Sequence, residues 1–189
     1  MLNQIAAIHG TGAAAGGGTS YESIATVTVG SGGVADVTFS SIPSTYKHLQ
    51  VRAIARNMHT VVGDSLRVQY NGDTASNYNM HSLYGTGSAA AAYSSGSTNI
   101  PPLANVVGGN GLANTFAPFI FDILDYADTT KFKTGRCLAG TDQNSASGAE
   151  MDLNSILWRS TAAISSIKLY CTTANLAQYS HFALYGIKG

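Results

Sequence analysis

Asp122, Asp125 and Asp128 recur at intervals of three. Carboxylates gathered in this way are the chemistry of calcium, a hard cation that takes about six to eight oxygen ligands. A strand through this segment puts Asp122 and Asp125 on opposite faces, however, and no EF-hand spacing surrounds them. Charges that end a strand and discourage edge pairing are the better reading. Asp122 set against Glu150 or Asp152 would imitate the carboxyl couple of a glycosidase, but a chain with ten scattered acids supplies such pairs by chance. The five histidines, His9, His48, His59, His81 and His181, form neither HxH nor HExxH, and no cysteine stands near them at zinc spacing. A structural or solvated role is expected for each.

Asp64 follows His59 closely and serine is frequent, so the residue types of a hydrolytic relay are present. The nucleophile elbow G-x-S-x-G is absent: Gly18-Thr19-Ser20 and Gly63-Asp64-Ser65 both lack the second glycine. Gly10 to Gly18 holds no GxxxxGK[ST] and follows no strand, and Gly108, Gly109 and Gly111 precede neither a lysine nor a helix start, so no phosphate loop is expected. No catalytic, cofactor-binding or metal residue is assigned, and the chain is expected to be no enzyme and to carry no cofactor.

The elements around these residues read as strands. Val27 and Val29 share a face, Val34 to Phe39 follows, and Gly30 to Gly33 between them is a hairpin signal. In Lys47 to Arg56, Leu49, Val51, Ala53 and Ala55 point inward and His48, Gln50, Arg52 and Arg56 outward, with Ile54 the exception on the polar face. Leu66, Val68 and Tyr70 continue the alternation to Asn71-Gly72-Asp73, strong turn chemistry, with Asn77 to Tyr84 as the return strand. Gly85 to Asn114 lacks periodicity and reads as a long, uncharged loop suited to contact with another chain. Phe116 to Tyr126 is the most apolar strand, with Phe119, Phe121 and Ile123 on one face and Ile120 and Leu124 on the other, and reads as buried on both sides. Strands at 131–139, 150–159, 164–172 and 181–188 complete an all-β chain, an antiparallel two-sheet sandwich of jelly-roll type.

Residues 1–20 differ: Leu2, Ile5 and Ile8 precede a Gly/Ala-rich run that cannot bury enough surface to fold alone. They predict a flexible N-terminal arm with a small apolar anchor, attached to one sandwich domain over 21–189. The 189 residues carry ten basic and ten acidic side chains, 11 % charged in all, against roughly a quarter in an ordinary soluble domain. Such a surface predicts packing against copies of itself. No basic patch points to nucleic acid and no apolar run of membrane length occurs. No Lys or Arg precedes the first apolar residues, which argues against a secretory signal. Cys137 and Cys171 lie inside predicted strands and read as buried free thiols.

Four segments resemble small virion proteins of tailed bacteriophages: Leu2-Asn3-Gln4-Ile5-Ala6-Ala7-Ile8-His9-Gly10, the run from Phe39 through Pro43 to Arg52, Leu66 to Asp73, and the ending Phe182-Ala183-Leu184-Tyr185-Gly186-Ile187-Lys188. The resemblance implies an oligomeric β domain, often a trimer, on the surface of a virion assembled in the bacterial cytoplasm. A capsid decoration or cement protein bound to the major capsid protein is the first expectation. Leu2, Ile5, Ile8, Ile100, Pro101, Pro102 and Leu103 are its expected assembly contacts. A tail-fibre or receptor-binding tip that reads host glycans through Tyr84, Tyr93 or Trp158 is the second.

Overall fold

The computed structural model describes residues 20–144 and 148–189. The expected arm with Leu2, Ile5, Ile8 and His9 lies outside the described residues. Among the described residues twelve strands follow in chain order: β1 (Tyr21–Thr28), β2 (Asp36–Phe39), β3 (His48–Ala55), β4 (Gly63–Tyr70), β5 (Tyr78–Gly85), β6 (Ala90–Thr98), β7 (Pro102–Val107), β8 (Ala117–Leu124), β9 (Lys133–Thr141), β10 (Glu150–Trp158), β11 (Ile167–Tyr170) and β12 (His181–Ile187). They form an eight-stranded sheet, β1-β12-β3-β8-β9-β10-β5-β6, and a four-stranded sheet, β2-β11-β4-β7.

The pairing has a simple origin. β1 pairs with β12, β2 with β11, β3 with β8 and β4 with β7, all antiparallel. These four nested pairs are one long hairpin rolled so that successive pairs fall in alternate sheets. β12 then closes on β3, and β11 on β4. That is jelly-roll connectivity, so the expected fold class is the observed one. Two inserted hairpins, β5-β6 and β9-β10, continue the large sheet beyond β8. The core lies between the sheets: Leu49, Val51, Phe121, Ile123 and Leu184 from the large one, Val37, Phe39, Leu66, Val68 and Leu169 from the small.

Rolling the hairpin corrects several local expectations. Gly30 to Gly33 does not close a hairpin, because β1 and β2 belong to different sheets, and the glycines carry the chain across the edge of the sandwich. Asn71-Gly72 does turn, with φ of 51° and 67°, the left-handed pair of a type I′ turn. Yet its return strand β5 joins the large sheet while β4 stays in the small one. The turn is fixed from outside: the Asp73 carboxylate accepts hydrogen bonds from the Trp158 indole (2.7 Å), the Asn77 amide and the Ala75 N–H. Trp158 is buried between Tyr70 and Tyr78, which removes it as a glycan platform.

Residues 85–114 are not one loop, since β6 and β7 lie within them. Leu103 has no accessible surface and Pro101 is buried, so both belong to this chain's own interior and offer nothing to a second chain; Pro102 is half-buried and Ile100 exposed. β8 is buried on one face only. Phe119, Phe121 and Ile123 face the core, whereas Ile120 and Leu124 lie on the outside, each about two-fifths exposed. Gln50, expected in solvent, is buried beneath Tyr21, Arg52 and Asp122, with which it hydrogen-bonds. Lys133 is also buried, its ammonium donating to the Lys131 and Thr161 carbonyls. Burial pushes its pKa down.

Candidate functional site

The three spaced aspartates do not share a ligand. Asp125 is clamped between Lys47 (2.8 Å) and Lys131 (2.5 Å), and Asp128 also meets Lys131. Hydrogen bonds from the two ammoniums hold the Asp125 carboxyl at about 2, and bonds from Thr130, with a smaller contribution from Lys131, hold Asp128 well below the usual range. Asp122 accepts from Gln50 instead. Carboxylates neutralised by lysines leave little negative potential for a cation. Among the described residues no three His, Cys, Asp or Glu side chains converge as metal ligands.

The histidines are dispersed. His48 Nδ1 accepts from the Asp125 N–H (3.0 Å), and His181 Nδ1 meets the Thr28 hydroxyl (2.9 Å). His59 does reach Asp64, at 3.1 Å, and Thr173 joins them from a distant loop. The geometry is not that of a relay. A relay needs the acid on one ring nitrogen and the nucleophile on the other. Here Asp64 and Thr173 both approach His59 Nδ1, and the Thr173 hydroxyl donates to Asp64 at 2.7 Å. Burial raises the Asp64 pKa, but bonds from Thr173, Ser65, Asn57 and His59 together outweigh it and hold the carboxyl ionised. The cluster therefore clips the 57–64 segment to the loop after β11. Cys171, close by, is no activated nucleophile: burial pushes its thiol up to about 11.

The glycines at 108–111 also turn out to be structural. Arg56, expected outside, sends its guanidinium to the carbonyls of Gly109, Gly111, Leu112 and Thr115. A phosphate loop aims N–H groups at its anion; this one aims carbonyls at a cation. A Cβ on Gly108 or Gly109 would collide with the Val61 or His59 carbonyl, so glycine is needed there for close approach.

Glu150 and Asp152, two residues apart on β10, share the inward face, while Asp122 stands on the outward face of β8. Asp122 therefore forms no carboxyl couple with either of them, in line with its reading as a chance pairing. The couple that does form is Glu150 with Asp152: burial first, and then the neighbouring carboxylate, raise the Glu150 pKa to about 8. Asp152 is itself buried and accepts the Asn105 N–H at 3.0 Å. Their spacing of two was the available signal, since residues i and i+2 of a strand share a face.

Among the described residues, exposed apolar side chains gather on the outer face of the large sheet. The register sets Arg52, Ile120, Leu138, Leu153, Leu83 and Ala92 side by side across β3-β8-β9-β10-β5-β6. Beside this row stand Ile54 with Pro118 and Met151 with Gly140. On its other side runs a polar row, Gln50-Asp122-Arg136-Ser155-His81. Exposure is 43 % at Ile54, 41 % at Ile120, 52 % at Leu138, 59 % at Met151, 48 % at Leu153 and 55 % at Leu83. A groove of about 540 Å³ runs among Ile54, Ile120, Leu138 and Met151. Six large side chains half exposed together leave on the order of 500 Å² of apolar surface, within the range of the largest patches on monomers, which are often functional. Of these six, only Ile54 stands out in the sequence as an apolar residue on a polar face, while Ile120 reads as buried. Compared with known proteins, the chain matches no family model, no curated protein and no solved structure.

Proposed function

We propose that this chain is a bacteriophage virion structural protein, a capsid decoration or cement protein that binds the outer head shell as an oligomer and stabilises it. The observation that carries the reading is the apolar outer face of the eight-stranded sheet, which runs unbroken by charge from Ile120 to Ala92. A face of this kind gains stability by being covered, at about 25 cal/mol per Å² of apolar area removed from water. The virion setting is drawn from the resemblance of four segments to tailed-phage virion proteins, and a jelly roll suits a part used for its surfaces. β6 adds a second contact: it is a nine-residue edge strand with no charged side chain, open to pairing with another strand. The partners are other copies and the major capsid protein, and the place is the particle surface.

Cryo-electron microscopy of the virions that contain the chain tests this. Many symmetric copies outside the head are expected. A few copies confined to the tail would overturn it in favour of a receptor-binding tip. That second reading draws on Tyr93, 46 % exposed and in edge contact with Tyr84.

A further inference from the structure

We infer that the chain covering the outer face is a second copy of this one, packed face to face about a twofold axis that runs along the strands between β8 and β9. The inference rests on the reading of that face as an assembly surface and names its occupant. A twofold interface must be complementary to itself, each residue meeting the partner of its own partner. When two sheets stack about such an axis, β8 of one copy faces β9 of the other, and β3 faces β10. Residues of one row then meet residues of the same row.

The register makes this match. Ile120 and Leu138, neighbours in the apolar row, fall opposite each other twice. Ile54 falls opposite Met151, because each stands in the row next to Ile120 and Leu138. In the polar row Asp122 and Arg136 are also neighbours, so Asp122 of one copy falls opposite Arg136 of the other, again twice. The charges on this part of the face therefore cancel between copies. Stacked sheets cross at about 30°, which displaces residues least near the axis, where Ile120, Leu138, Asp122 and Arg136 lie.

Arg136 supports the arrangement independently. It is exposed, and among the described residues it makes no hydrogen bond or ion pair, although Asp122 stands beside it and bonds Gln50. Its guanidinium is thus available to a carboxylate from outside the chain. The area is sufficient as well. The apolar side chains alone leave on the order of 500 Å² per copy, or about 1,000 Å² over two copies, the size that a specific interface must reach.

Sedimentation equilibrium of the purified full chain tests the inference, with folding of each variant checked by circular dichroism. A mass twice that of the chain is expected. Leu138→Asp buries a charge at the axis and should leave a folded monomer. Asp122→Arg sets cations against each other at two symmetric points, and Arg136→Asp does the same with carboxylates. Each should weaken association by at least about tenfold, the usual scale for like charges across an interface. The double variant D122R/R136D restores opposite charges and should return the dissociation constant to within a few-fold of the original. A monomer at all concentrations, a trimer, or a dimer indifferent to these changes would overturn the inference, as would a double variant no tighter than the singles. Since the measurement uses protein alone, its failure is separate from failure of the virion reading, which the particle images decide.

Discussion

Replacing Phe121 by alanine is expected to destabilise the domain by about 3–5 kcal/mol, the range for deleting a buried phenyl ring. Phe121 has no accessible surface and sits mid-strand in β8, between Val51 of β3 and Cys137 of β9. Its ring fills the space over Gly135, where a Cβ would collide with it. The cavity left by truncation cannot be closed by Gly135, which has no side chain to move. Against a total of about 5–15 kcal/mol for a natural domain, a large part of the stability is at stake. Urea unfolding reads it as a lower midpoint at unchanged slope, and a shift under about 1 kcal/mol would contradict the packing described.

Gly186→Ala is expected to cost about 1–3 kcal/mol through overpacking, at the upper end of that range. The added methyl would fall within the Tyr46 ring. The ring cannot withdraw freely: the Tyr46 hydroxyl donates to Glu22 at 3.0 Å, and Glu22 is in turn held by Lys188 at 2.5 Å. Gly186 sits in β12 between β1 and β3, so the backbone is held on both sides. Combining it with Tyr46→Ala should recover part of the loss, giving a coupling term in a double-mutant cycle. Strictly additive effects would show that the ring is not the obstacle.

The pattern of inward and outward residues was legible where alternation is strong. β3 shows this in Leu49, Val51, Ala53 and Ala55, because a half-buried strand must alternate. The partners of the strands were not legible. Turn chemistry at Gly30 to Gly33 and Asn71-Gly72 states that the chain reverses, not whether it returns to the same sheet. β6 escaped notice because Ala, Ser and Gly carry little strand preference; its strand state comes from pairing with β5. Asp64 beside His59 could be read from five residues of separation, but Thr173, 109 residues further on, could not. The deepest ambiguity concerns Ile120 and Leu124. A sequence marks a side chain as apolar without stating whether its own chain or another will cover it. Their exposure in the fold leaves an apparent core strand buried on one face only.

The coverage of that surface can be measured directly with Leu153→Cys and a water-soluble maleimide. The native Cys137 and Cys171 are buried and burial pushes both thiols up, so they stay silent. Rapid labelling is expected for the dilute, dissociated chain, and strong protection in concentrated protein and in assembled particles. Equal labelling rates in all three would contradict it, because the outer face would then remain open to water wherever the protein works.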